Sequence, residues 1–205
     1  MPAQKKLTRD RIIDAAEKVL RRDGYQAINA RSVAKELGCS TQPIYVEFEN
    51  MEQLKEILKE KAAEVHKQYV KQYMDSGEYN IVYENYGLGL VRFARDEKQL
   101  FRYLYLDEPE KGKHVDDVNL LEIISNIVEH YGYTQEVAYK FHKDLSFYTY
   151  GIAVMVSTGY LDMTDQEIHE RLHQQFMALC SIYGAPPKMI NKTSSVMQMS
   201  VFCKQ

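Results

Sequence analysis

Gly38-Cys39-Ser40-Thr41-Gln42-Pro43-Ile44-Tyr45-Val46-Glu47-Phe48 is the stretch from which the fold can be read. Gly38 follows the apolar run Val33, Ala34, Leu37 and is able to take positive φ, so it ends a helix. Ser40 is a good N-cap for a second helix, and Pro43 then falls in that helix's first turn, where a missing N–H does little harm. Two helices joined by a short glycine-containing turn form a helix-turn-helix, whose second helix offers its N-terminal residues to base edges in the major groove.

Upstream, Ile12, Ile13, Ala16, Val19 and Leu20 recur at helical spacing between Thr8, a candidate N-cap, and Gly24, a stop. Asn29 is placed to cap a helix over 30–37 with Arg31 in its first turn. Free N–H groups and a guanidinium at that end make a phosphate site, and Arg31 could also reach a guanine. The net charge of −3 hides an uneven distribution: residues 1–35 hold nine Lys or Arg against four acids, a local balance of +5. Lys5, Lys6 and Arg9 lie where a DNA backbone could pass, and Asn29 and Ser40, at the starts of the two helices, join the DNA-binding candidates.

The pattern from Ala15-Ala16 through Gly24-Tyr25, Asn29 to Ser40, and Ile44-Tyr45-Val46-Glu47-Phe48 to Leu54 resembles the N-terminal domain of the tetracycline-repressor (TetR) family over about the first 55 residues. The resemblance implies an all-helical homodimeric transcriptional regulator with an effector-binding C-terminal domain. It implies DNA-backbone contact at Tyr45, base or phosphate contact at Thr41 and Gln42, and contact with the DNA edge at Arg31.

Residue chemistry agrees with those roles. Gln42 offers the donor and acceptor pair that matches adenine, and Thr41 donates, accepts or touches a thymine methyl. Tyr45 is amphipathic; its ring packs while its hydroxyl reaches outward. The opposing reading makes Tyr45 a core aromatic and Gln42 a plain surface residue. Ile44 and Phe48 have the spacing of packing residues. The departure from the family pattern is acidic: Glu47 and Glu49 stand where a neutral or basic residue and a lysine are common, and Met51 also replaces a common lysine. Carboxylates near phosphate repel it, so the expectation is weakened or strongly sequence-dependent binding, or grip carried by residues 5–35. Glu47 could accept from a cytosine amino group, against the plainer reading of a solvated or helix-pairing carboxylate.

Beyond the reading head, 51–73 reads as a long connecting helix with Leu54, Ile57, Leu58, Ala62, Val65 and Tyr69 along one stripe. Further helical segments follow at about 79–95, 97–106, 115–131, 135–159 and 165–183, punctuated by Glu108-Pro109, Gly112, Gly132, Gly159 and Gly184. The expected organisation is a helix-turn-helix domain over 1–50, a helical ligand-binding and dimerisation domain over 51–185, and a tail over 186–205. In the last two long helices, Ala138, Phe141, Leu145, Tyr148, Ile152 and Met155 line one face, and Ile168, Leu172, Phe176, Leu179 and Tyr183 the other. The family resemblance makes part of these stripes a dimer interface, pairing as a four-helix bundle.

Fourteen of the sixteen tyrosines follow residue 51, and there is no tryptophan. Tyr83, Tyr86, Phe93, Phe101, Tyr105, Phe147, Tyr148 and Met155 are the candidate ligand-binding residues. They suggest an aromatic, lipophilic or cationic effector in a pocket of the middle helices.

Other chemistries are poorly served. His169-Glu170-Arg171-Leu172-His173 matches HExxH, yet no Asp, Glu or His follows His173, so a site would need an upstream ligand. Gly87-Leu88-Gly89 lacks the strand and third glycine of a dinucleotide loop; the two glycines allow close helix packing or leave room for a ligand. Cys39, Cys180 and Cys203 have neither disulfide nor zinc spacing. No cofactor, metal or membrane span is expected, and a charged start in place of a signal peptide suggests a cytoplasmic protein. The sequence reads as a non-enzymatic, all-α, ligand-responsive regulator released from a palindromic operator; the alternative is a helical interaction or ligand-sequestering module with weakened specific DNA binding. The operator, the effector and the direction of regulation are not written in it.

Overall fold

The structure, a computed structural model, describes residues 7–76, 81–107, 120–184 and 186. Lys5, Lys6, Cys203, the Pro109 and Gly112 turn signals and the 187–205 part of the tail lie outside them. The described chain is all helix, with no strand among these residues: α1 (Arg9–Asp23), α2 (Ala30–Leu37), α3 (Gln42–Glu47), α4 (Met51–Ser76), α5 (Val82–Asp96), α6 (Lys98–Arg102), α7 (Leu120–Tyr131), α8 (Gln135–Ser157) and α9 (Asp165–Tyr183). A 3-10 turn (Tyr25–Ala27) follows α1, and a π-helical turn (Tyr103–Asp107) continues α6.

The capping chemistry largely follows the sequence. Gly38 takes φ 68°, and the Cys39 N–H donates to the Ala34 carbonyl at 3.0 Å, closing α2 with a left-handed residue. Thr134 and Thr164 cap α8 and α9, the latter reciprocally with Glu167. The expected Ser40 cap of α3 is displaced by one residue: Thr41 occupies that position, without a side-chain bond, and Ser40 is exposed in the turn.

One apolar core begins in the reading head and does not stop there. Ile12, Leu20, Val33, Ile44 and Phe48 are buried together with Leu54 and Leu58 of α4, Leu88 and Phe93 of α5, and Phe101 of α6. A second core joins Ile127, Phe141 and Phe176 of α7, α8 and α9. Most of the α8 and α9 stripes is intrachain core. Ala138, Phe141, Leu145, Ile152, Ile168, Leu172, Phe176 and Leu179 are all buried within the chain, because α8 and α9 turn these faces onto α5 and α7.

Polar ties link the same parts. Arg21 of α1 pairs with Glu97 between α5 and α6, and also with Glu17 at 2.9 Å. Burial works against the charged Glu17, but hydrogen bonds from Lys61 and Arg21 outweigh it and hold its carboxyl below the usual range. Tyr25 stacks on Tyr103 at 4.9 Å, and the Tyr103 hydroxyl donates to the Lys55 carbonyl at 2.7 Å.

The two α5 glycines serve close packing. A Cβ on Gly89 would lie 2.9 Å from the Val70 Cα, whereas one on Gly87 would meet the end of the Leu172 side chain, also at 2.9 Å. Backbone cannot yield as a side-chain terminus does. Gly89→Ala should therefore lower unfolding free energy by about 1–3 kcal/mol. Gly87→Ala should cost less, offset by about 1 kcal/mol of helix propensity. Urea denaturation of both variants checks this, and a Gly89→Ala protein as stable as the parent would refute the close crossing of α4 and α5.

Candidate DNA-reading surface and ligand hollows

The α3 helix is too short to persist alone. It is held from behind by Ile44 and Phe48, both buried, and from its C-terminal end by Arg9. The Arg9 Nη1 donates to the Glu47 carbonyl at 2.8 Å, and the guanidinium lies 4.3 Å from the centre of the Phe48 ring. Arg9, a candidate for the DNA backbone, is thus bound into the frame of the reading head.

The opposite side of α3 is open. Gln42 is exposed, Tyr45 is 54 % exposed and Val46 is 75 % exposed, while Thr41 is half-buried. Tyr45 is therefore an outward aromatic and not a core one. Val46, absent from the sequence-derived set, belongs to the same surface. The signal for it was available in the sequence: at about 100° per residue, the direction opposite Ile44 falls between Gln42 and Val46.

At the start of α2, Asn29 is more committed than its candidacy for DNA suggests. Its Oδ1 accepts from the Arg31 and Ser32 N–H groups, both at 3.0 Å, and the Asn29 N–H donates to the Ser32 Oγ at 3.1 Å. This capping box occupies N–H groups expected to be free for phosphate. Arg31 itself is exposed. Of the other N-terminal cations, Arg21 and Arg22 are in ion pairs, and Arg22 takes up Glu36 at 2.9 Å, removing one acid from the neighbourhood of the turn. Arg11, Lys18 and Lys35 are exposed.

The aromatic candidates for ligand binding fall into three places. Tyr83 and Tyr86 line a narrow hollow of about 20 Å³ with Met74, Ile123, Asn126, Ile127, His130 and Tyr131, between α4, α5 and α7. A wider hollow beside it shares Met74, Tyr86, Ile123 and Asn126 and has Lys67, Lys71, Asp75 and Glu122 around it. Phe93 and Phe101 are fully buried core, and the Tyr105 hydroxyl meets the His66 Nδ1 at 2.8 Å. Phe147, Tyr148 and Met155 instead line a groove on the outer side of α8 and α9, with Leu161, Met163 and Arg171. Among the described residues, the eight thus fall in separate places and not around one hollow.

The HExxH histidines meet a partner from upstream. Glu84 of α5, only 3 % exposed, approaches the His169 Nε2 at 2.8 Å and the His173 Nδ1 at 2.7 Å. Glu170 lies on the exposed side, accepting from Gln166 at 3.0 Å. No group of three His, Cys, Asp or Glu among the described residues is placed to hold a metal ion. The motif here ties α5 to α9.

A six-residue helix packed by its inner face, presenting its outer face across a tight turn from a capped helix, defines a helix-turn-helix DNA-binding protein. Residues 12–56 match the family model described as bacterial regulatory proteins, tetR family. Over these residues the chain carries a DNA-binding domain of the tetR-family type. No curated protein matches the chain. Among the described residues no helix is long and apolar enough to cross a membrane.

The histidine tie has a graded consequence. His169 is 21 % exposed and His173 46 %. Removing the more buried donor leaves the Glu84 carboxylate less compensated, so His169→Ala should lower the melting temperature more than His173→Ala. Parallel thermal melts at pH 7 decide it; equal losses would show that the two contacts do not differ with burial.

Proposed function

We propose that the chain works as a homodimer that binds a palindromic operator and leaves it when a small molecule enters the hollow between α4, α5 and α7. The observation that supports this best is the core shared by α3, α4, α5 and α6, through which a displacement of α4 shifts the reading head. Two heads meet successive major grooves only if their separation suits half-sites about 34–36 Å apart, so a small change in α4 is enough to release DNA. Repression is the direction proposed, and a cytoplasmic setting goes with it.

The division proposed is a reading head over 1–50, an effector and dimerisation region over 51–185 and a tail over 186–205. Pairing through α8 and α9 uses the outer faces left by the intrachain core. Phe147 of the Tyr148 and Met155 groove and Met177 of α9 are exposed. Thr41, Gln42 and Tyr45 are the proposed base and backbone contacts, with Ser40 beside them and Arg31 on a flanking phosphate. Lys5 and Lys6 add backbone contacts, and Asn29 acts by holding the start of α2.

For the effector, the inner hollow is walled by apolar groups and aromatic rings, with the Asn126 amide and the His130 imidazole as polar tips. Among the described residues its lining holds no carboxylate, but at about 20 Å³ it serves only as the apolar floor of the wider hollow of about 410 Å³, whose Lys67, Lys71, Asp75 and Glu122 suit an aromatic or lipophilic compound that also carries polar groups. Tyr86 borders both hollows and is the residue to test.

Selection from randomised duplexes should yield an inverted repeat bound by one dimer, with the dimer visible by sedimentation; no selected sequence at low salt would sink the operator reading. On the selected duplex, Arg31→Ala should weaken binding several-fold and reduce the salt slope by about one. Arg9→Ala should instead lower thermal stability, because it frees the Glu47 carbonyl and the Phe48 ring. Glu49→Lys should raise affinity, most at low salt. If Arg31→Ala leaves the salt slope unchanged, Arg31 does not hold a phosphate.

The effector site is tested by screening small aromatic compounds for release of the selected duplex. Tyr86→Ala should weaken the response to an active compound about tenfold or more while operator affinity without it stays within twofold. Retention of the full response would move the effector out of this hollow.

A further inference from the structure

Val46 is the least expected residue on the surface that faces DNA. It is 75 % exposed, its isopropyl group lies on the side of α3 away from Ile44, and it packs into neither of the two apolar cores. Phosphates and sugar edges offer such a group nothing beyond incidental contact. In the major groove the apolar feature of the base edges is the C5 methyl of thymine, whose burial against an aliphatic side chain removes both groups from water.

We infer that Val46 reads a thymine methyl in each half-site, setting sequence preference through an apolar contact beside the polar ones. The inference rests on the DNA-binding reading of α3. Gln42 and Val46 are four residues apart, which along a helix is about 6 Å. With bases stacked about 3.4 Å apart on a strand, the thymine falls within roughly two base pairs of the base met by Gln42. The Arg9 bond to the Glu47 carbonyl fixes the end of α3 next to Val46, so the side chain is presented from a held backbone. This also bears on the acidic departure of the head: an apolar reader needs no phosphate-directed charge to discriminate, and a carboxylate at Glu47 does not compete for a methyl group.

The experiment uses the full-length protein and the duplex it selects, with every thymine replaced singly by deoxyuridine, which removes only the methyl. For the parent protein, one thymine position per half-site should lose about fourfold in affinity on replacement, the worth of one buried carbon group. Val46→Ala should bind the thymine duplex about as weakly as the parent binds the deoxyuridine duplex, and should no longer distinguish the two. Val46→Ile should keep the distinction. Val46 is exposed and outside both cores, so the variants should fold as the parent does, which matched thermal melts verify. If no single replacement costs the parent more than twofold, or if the penalty persists in Val46→Ala, the inference is overturned while the operator reading stands. If the parent selects no sequence at all, both fall together.

Discussion

The burial of Ile44 and Phe48 is the constraint on which the molecule depends. Six residues of helix do not hold their own shape in water, so α3 exists because its inner side chains are enclosed by α1, α2 and α4. The same enclosure leaves the outer side chains with nowhere to go but solvent or DNA. Orientation of Gln42, Tyr45 and Val46 is thus a by-product of packing, and the Arg9 bond to the Glu47 carbonyl closes the end that packing leaves open.

That enclosure is continuous with the rest of the protein. Leu54 and Leu58 carry it along α4 to Leu88, Phe93 and Phe101, and the polar ties run parallel to it. The π-helical turn concentrates them: Tyr103 reaches the Lys55 carbonyl, Tyr105 meets His66, and Tyr150 of α8 donates to the Tyr105 carbonyl at 3.0 Å. A single irregular turn thereby touches α4 at two heights and α8 once. π-helical turns interrupt regular helix geometry at some cost and recur at functional positions. Here the two tyrosines at either end of the sequence Tyr103-Leu104-Tyr105 both meet α4, one at Lys55 and the other at His66.

Helix positions were legible in the sequence because they rest on local chemistry. Thr134, Thr164, Gly38 and Gly184 mark boundaries through their own side chains or the lack of one, and α9 runs over the residues expected, 165–183. What periodicity could not tell was which neighbour an apolar stripe meets. Phe141 and Phe176 carry the same pattern whether they face a second copy or their own α5 and α7, and only the packed structure divides the stripe, placing these two in core. The aromatic set divides for the same reason: Phe93 and Phe147 are equally hydrophobic, yet one is sealed and the other exposed.

The histidines of α9 show how far a motif's meaning lies outside the motif. His169 and His173 stand one turn apart, which puts two nitrogen donors on one face, a spacing that serves a metal in one setting and a carboxylate in another. What settles the use is Glu84, 85 positions upstream of His169, on a helix whose glycines let it approach closely. Burying that carboxylate without partners would be costly, and the two imidazoles supply them. The close crossing of α4 and α5 at Gly89 and the close approach of α5 to Leu172 at Gly87 accompany the seating of Glu84 beside the two α9 histidines. Histidine spacing and glycine spacing are therefore two halves of one packing solution, and neither is intelligible in the sequence without the other.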